Sequence, residues 1–420
     1  MGQSLCTESM FEPRKSRRAA RLARQARAAL IWGLALYAVG HVALVIVTQW
    51  CWPRLRDPEF SYKLTRLRKQ LAAEPHRPVL VLLGSSRTGQ GFRPAVLPRC
   101  QTPDGRTPFV FNFSQVGSGP VAELVCLRRL LGEGIRPDWL AIEVLPALLG
   151  RKVDASCGNP EVGVSRLTWS DLCLLLDYTP DPRLLKRNWY EVQLAPWYGH
   201  RFSIMNHYAA EFLPWRLRLD CWKALDDWGW SDLGLDTDEP VKEKELRALQ
   251  LARNTYEKEL QDFHIEAIED RAMHEMLALC RQEGIPTILY LMPEGSVFRS
   301  WYVPPTRARI ENYLIHLSEE FNVPILDARK WIADEYFGDS HHLYRRGATK
   351  FTQRFGEEVL PLLLAGKLDQ IRPVLSPVLK SYPEQPREEK PMLEARRLPT
   401  KSPPPTLSIR GGATPAPPSP

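Results

Sequence analysis

The chain has 420 residues, of which 44% are hydrophobic, 25% charged and 10% aromatic, and this excludes a disordered, fibrous or collagen-like polypeptide. Its net charge of +7 is a sum over unlike parts, with +5 in residues 1–27, +4 in residues 372–420 and −2 in the body between them. A near-neutral body offers no phosphate-binding surface, so nucleic acid is not an expected partner.

In chain order, residues 1–27 form a basic leader, and the acid-free run from Pro13 to Arg27 ends it. Ala28 to Trp50 (AALIWGLALYAVGHVALVIVTQW) then holds no Asp, Glu, Lys or Arg. Its length suffices for a helix to cross a bilayer, it exceeds a signal-peptide core, and no small-x-small cleavage site closes it. Basic residues before it place the N-terminus in the cytoplasm and the body on the extracytoplasmic or periplasmic side, although Arg54, Arg56, Lys63, Arg66, Arg68 and Lys69 follow on the far side. The lipid bilayer is therefore an expected partner of residues 28–50. Residues 51–77 are read as a juxtamembrane linker, with an amphipathic helix over Tyr62–Ala73.

From residue 78 an α/β pattern begins. Pro78–Gly84 (PVLVLLG) is a continuous apolar run of the kind a buried parallel strand needs, and it ends in a Gly-Ser-Ser turn. Strands are predicted at Phe109–Phe113, Trp139–Val144, Pro286–Met292 and Val323–Leu326. Helices are predicted at Gly119–Leu131, at Thr306–Phe321 and, closing the domain, at Gly347–Leu364. The alternation predicts a three-layer, doubly wound parallel sheet over residues 78–371. An aromatic-rich helical insertion occupies about 150–240, with amphipathic segments LTWSDLCLLLDY and FLPWRLRLDCWKAL. One long helix, roughly Val241 to Glu283, is expected to follow, its charged run forming a solvated face. Thirteen of the last 49 residues are Pro, and a disordered or extended tail is expected over 372–420. The eight cysteines show no metal-binding spacing. Six of them can pair if the body is extracytoplasmic, in a connectivity that the sequence does not assign.

Two short motifs carry chemistry. Gly84-Ser85-Ser86-Arg87 follows the first strand, on the rim where doubly wound folds place their ligands. Asp339-Ser340-His341-His342-Leu343 precedes the last helix. A Ser hydroxyl needs a base to take its proton, and a carboxylate to hold that base in one tautomer. An Asp three residues before a His on one loop suits the second task. The α/β-hydrolase elbow GxSxG is absent, because its last position is Thr88.

These motifs resemble those of the SGNH/GDSL hydrolase superfamily. Its D-x-x-H-L-x-x-x-G block is matched from Asp339 to Gly347, which makes His342 rather than His341 the implied base, with Asp339 orienting it. Gly84-Ser85-Ser86 matches the Gly-Asp-Ser block with Ser85 in the Asp place, so Ser86 is the implied nucleophile. Asn112 to Gly119 is the counterpart of the second block, and Gly117 is its implied oxyanion N–H donor beside Ser86. The third block, Gly-x-Asn-Asp, is replaced by Ile142-Glu143-Val144-Leu145-Pro146, so the Asn oxyanion donor is missing; losing one such donor costs about 10²–10³ in rate. Arg87, Glu143, Glu294 and Arg299 are candidate substrate-binding residues, and Trp301 is a candidate platform for a sugar ring.

The resemblance implies ester hydrolysis on an ester-bearing small molecule, with no metal or nucleotide cofactor required. It implies acyl transfer as a rival, since membrane-tethered members with altered first and third blocks often serve O-acetylation of cell-surface polysaccharides. A non-catalytic binding role in an envelope assembly is a third expectation, motivated by the missing Asn and the aromatic insertion.

Overall fold

Five short strands, β1 (Val79–Leu83), β2 (Phe109–Asn112), β3 (Trp139–Glu143), β4 (Thr287–Leu291) and β5 (Ile325–Asp327), pair in one parallel sheet of order β2-β1-β3-β4-β5. The structure is a computed structural model, and it describes residues 13–150, 163–214, 218, 220–231 and 242–371. Side chains alternate across each strand. Val79, Val81 and Leu83 of β1 join one apolar core, while Leu80 and Leu82 join a second on the opposite face. Both faces are thus covered, which is why these strands read as unbroken apolar runs rather than as alternating ones.

The first face carries α2 (Pro58–Ala73), α4 (Pro120–Gly132), α9 (Ala267–Gln282) and α10 (Pro304–Phe321), which supply Phe60, Leu124, Met276 and Leu314 to its core. On the second face lies α11 (Arg345–Glu358), whose Phe351 and Phe355 rings meet Phe92 edge-on at 5.6 and 4.9 Å. Strand order reverses between β1 and β3, and the turn after β1 opens into α3 (Ser86–Gly91) at that point. Ligands of doubly wound sheets bind at such a reversal.

Three expected elements differ. The long helix is two: α8 (Lys242–Gln261) and α9, with a break at 262–266. The break lets Phe263 enter the core and lets the Glu266 amide donate to the Leu149 carbonyl at 2.9 Å. The inward face of α8 is Leu249, Ala252, Tyr256 and Leu260, and its charged face is solvated. The closing helix stops at Glu358 and restarts as Leu360–Leu364, because Pro361 has no amide hydrogen to continue the first helix. Of the second amphipathic insertion segment, only Asp220–Lys223 is α-helical among the described residues. The rest of the insertion holds α5 (Pro182–Leu194), α6 (Pro196–Gly199) and α7 (Arg201–Tyr208).

The apolar segment is helical as α1 (Pro13–Ile46), continued by a wider turn over Val47–Cys51. Its most apolar stretch is not buried in the protein, so it is no core helix, and it is long enough to cross a membrane. Asp57 caps α2 and joins it to the body: its carboxylate accepts from Phe60 N at 3.2 Å and from Arg129 and Arg166, each at 2.7 Å. Despite burial, those two guanidinium groups hold the Asp57 carboxyl down at about 2. Cys51, Cys100, Cys126, Cys173 and Cys280 are unpaired thiols. The Pro-rich tail from Arg372, residues 1–12 of the N-terminal leader with Cys6 among them, and Cys157 lie outside the described residues.

Candidate active site

Ser86 and His342 are 256 residues apart in sequence, yet Ser86 Oγ lies 2.8 Å from His342 Nε2. His342 Nδ1 is 2.7 Å from Asp339 Oδ2. An ionised carboxylate only accepts hydrogen bonds, so Nδ1 carries the ring proton and Nε2 of the neutral ring accepts from the Ser86 hydroxyl. Asp339 Oδ1 also takes the backbone amides of His341 and His342, at 3.1 and 2.7 Å, which locks the loop around its own carboxylate. Burial opposes ionisation of Asp339, but His342 and the hydrogen bonds from the two histidines hold its carboxyl well below the usual range. Ser86 is half-buried and His342 retains 15% side-chain exposure, so the pair is reachable from solvent.

The turn bearing Ser86 is built around Glu143, at the end of β3. Its carboxylate accepts from Ser85 N at 2.8 Å, Ser85 Oγ at 3.0 Å and Thr88 Oγ1 at 2.7 Å. Ser85 also caps α3 by accepting from Arg87 N at 3.1 Å. A Cβ at Gly84 would stand 2.6 Å from both Glu143 Oε2 and Thr88 Oγ1. This close approach, and not a special dihedral, requires glycine there. Gly84→Ala is expected to lose about 1–3 kcal/mol of stability. Thermal melts check this, and an unchanged melt would contradict the packing described.

Arg87, Glu143, Glu294 and Trp301 are buried to 2% exposure or less, and none of them lines the cleft beside Ser86. The Arg87 guanidinium donates to Met292 O and Pro293 O, both at 3.0 Å, and to Glu294 Oε1 at 3.3 Å, with Glu143 Oε1 3.8 Å away. Glu294 accepts a further bond from Tyr302 at 2.8 Å. Arg299 donates to the backbone carbonyls of Glu294 and Arg329, and Trp301 packs on Phe298 with centroids 4.9 Å apart. The loop 292–302 therefore grips the Asp339–His342 loop. Gly295 N donates to Ser340 O at 2.8 Å and Phe298 N to Ser340 Oγ at 3.0 Å. Together these hold Ser340 at φ +69°, a left-handed backbone that costs a non-glycine residue about 1–3 kcal/mol.

Gly117 has φ +73° and open space where a Cβ would stand. Its amide has no hydrogen-bond partner among the described residues. The residues of that loop lining the cleft beside Ser86 are Ser114 and Val116. Asn112 is turned away, its amide donating to Thr88 O and Phe92 O at 2.8 Å each.

Two site residues escape a motif reading. Lys63 of α2 is buried, and its Nζ donates to Ser114 O at 2.6 Å and Asn112 O at 3.1 Å. One turn earlier, Glu59 accepts from Val116 N at 2.7 Å. Burial pushes the Glu59 carboxyl up against the pull of Arg166 and Lys63. Both line the cleft with Ser86, together with Trp222 and Leu225 of the insertion. Their only sequence signal is the i, i+4 spacing, which puts them on the face of α2 that carries Phe60 and Leu67.

One family model, of an uncharacterised family, matches residues 234–364. No curated protein matches the chain. The matched stretch contains β4, β5 and the Asp339–His342 loop, while Ser86 lies outside it.

His341 stacks on Phe298, with centroids 5.3 Å and planes 20° apart. Among the described residues, Asp339, His341 and His342 form the one cluster close enough to share a metal ion. Both ring nitrogens of His342 are already engaged, by Ser86 and Asp339, so the relay accounts for the cluster. Burial, helped by His342 and opposed by Asp339, pushes the His341 imidazole down to about 4. An unfolded His takes up its proton near 6.5. Between pH 6.5 and 4 the unfolded chain therefore binds more protons, and stability falls with falling pH by up to about 3 kcal/mol. His341→Phe keeps a ring against Phe298 and removes this proton site. Denaturant titrations at pH 7 and 4.5 should show a smaller acid loss in the variant, and an equal loss would contradict the assignment.

Proposed function

We propose that this protein is a membrane-anchored serine esterase or acyl-ester hydrolase of SGNH type, with residues 28–50 in the bilayer, a cytoplasmic N-terminus and an extracytoplasmic body. What carries the reading is the Ser86–His342–Asp339 relay at the strand-order reversal, since no packing requirement calls for a half-exposed Ser on a carboxylate-oriented His. The strand order and the helices on both faces are compatible with that superfamily's arrangement.

In this mechanism Ser86 Oγ attacks the ester carbonyl carbon as its proton passes to His342 Nε2. The oxyanion is held by the amides of Ser86 and Gly117. Collapse of the tetrahedral intermediate breaks the ester C–O bond, and the leaving oxygen takes the proton from Nε2. Water, or a glycan hydroxyl in the acyl-transfer variant, then attacks the acyl-Ser86 carbonyl while His342 takes its proton; collapse breaks the acyl–Ser86 Oγ bond, and Oγ takes that proton back from Nε2. The relay supports catalysis over a purely binding role.

The cleft beside Ser86 is narrow, with a cavity volume of about 10 Å³, far below the roughly 300–1,000 Å³ of sites for drug-sized ligands. Among esters, those with the shortest acyl groups, such as acetyl, demand the least widening of it. The detergent-solubilised full chain is expected to hydrolyse 4-nitrophenyl acetate at least ~10-fold faster than the octanoate ester. Release of nitrophenol no faster than from a His342→Ala variant would overturn the proposal.

A further inference from the structure

The insertion leaves a band of large apolar side chains facing outward. Leu194, Trp197, Tyr198, Tyr208 and Phe212 are 53–75% exposed, and Trp50 at the end of the apolar helix is 72% exposed. Soluble surfaces scatter such residues singly, and a continuous apolar band marks a partner. Where this band sits decides which partner. Helix α6 packs directly against α1. Gln49 Nε2 donates to Gln193 Oε1 at 3.1 Å, and the Trp52 ring meets that of His207 at 4.4 Å. Arg56 Nη1 closes the joint on the Gln49 carbonyl at 2.9 Å.

On α1 and the wider turn that continues it, His41, Leu44, Val45 and Thr48 are partly or wholly covered, whereas most of their helical neighbours are exposed. Those positions form one stripe, and at 1.5 Å per residue it reaches roughly 13 Å back from Trp50 along the apolar helix. A body that covers the last two turns of a membrane-spanning helix stands beside it at the depth of the lipid. Inside that stripe the Thr48 hydroxyl is satisfied by the Leu44 carbonyl at 2.9 Å.

We infer that the aromatic face of α5, α6, α7 and the turn to Phe212 is seated in the headgroup–acyl boundary of the same membrane that α1 crosses. Trp and Tyr concentrate at that depth, where one end of the ring is apolar and the other wet. Arg201 lies over the rings of Tyr198 and Phe202, at 4.0 and 4.4 Å, placing a guanidinium where lipid phosphates lie. Residues 182–212 carry four Arg/Lys against two acids, which favours an anionic surface. The inference rests on the anchor reading of residues 28–50. It adds that the body is held to the membrane at a second place, so that the cleft walled by Trp222 and Leu225 of the same insertion stays near the surface.

The test uses the full chain in vesicles of phosphatidylcholine and phosphatidylglycerol. These carry a phosphatidylcholine with a photoactivatable diazirine close to its ester carbonyl, and lipid-bearing peptides are mapped by mass spectrometry. Adducts are expected both in 28–50 and in 194–212, at least ~5-fold above those in α8, whose exposed Leu246 and Leu251 serve as the control. Trp197→Ser combined with Phe212→Ser should remove the adducts in 194–212 and keep those in 28–50. Adducts in 28–50 alone would overturn the inference and leave the anchor standing. Adducts in neither would overturn both. Lysine cross-links joining Lys186 of two copies, with no lipid on 194–212, would assign the face to a second copy and overturn it as well.

Discussion

Ser86→Ala and His342→Ala are each expected to lower kcat for ester cleavage by on the order of 10⁴–10⁶ while leaving the thermal melt nearly unchanged. The two groups act as a unit, so the double variant should be little worse than either single one. The residual rate belongs to the oxyanion amides and to substrate positioning, which neither substitution touches. Asp339→Asn should cost about 10⁴, because an amide presents the wrong partner to His342 Nδ1 and permits the other tautomer. That substitution also disturbs the loop, since the Asp339 carboxylate holds the amides of His341 and His342. A loss in Ser86→Ala of less than tenfold, with the fold intact, would mean that Ser86 is not the nucleophile.

Arg87→Met is expected to be the most destabilising single change near the site, by about 3–5 kcal/mol. The side chain is 1% exposed and lies between two equally buried carboxylates, Glu143 and Glu294. Burial disfavours its charge, yet those two acids raise the guanidinium above its ordinary affinity for the proton. Removing it leaves both acids buried without a near counter-charge and strips the carbonyls of Met292 and Pro293 of their donors. The expected fall in melting temperature is on the order of 10 °C. Glu294→Gln added to Arg87→Met should recover part of the loss, because it removes one of the stranded charges. Full stability of Arg87→Met would show that the cluster is neutral in the folded state and that the ion-pair account is wrong.

The sheet was legible because its strands are buried on both faces, which leaves continuous apolar runs bounded by Gly, Pro and polar turns. Each of the five lies within about two residues of its predicted position. The meeting of Ser86, Asp339 and His342 was legible for a different reason: all three stand on turns at strand ends, and short motifs mark those turns. The burial of Arg87, Glu143, Glu294 and Trp301 was not legible, since sequence places them near the rim but does not say on which side of the loop they point. Burial turns all four inward, where they brace the two loops that meet at Ser86 and His342. Lys63 and Glu59 were missed because α2 reaches the cleft only through tertiary packing, and a Lys on an amphipathic helix ordinarily faces water. The break between α8 and α9 was hidden for a similar reason: Phe263 continues an apolar periodicity that the chain uses to leave the helix.

The central claim is that Ser86 is a nucleophile activated by His342. The most direct measurement is the intact mass of the full chain after exposure to a serine-reactive alkyl phosphonate, followed by peptide mapping. One adduct on Ser86, absent in His342→Ala and in Ser86→Ala, is the predicted result. An adduct that persists in His342→Ala, or one that falls on another serine while Ser86 stays unmodified, would contradict it.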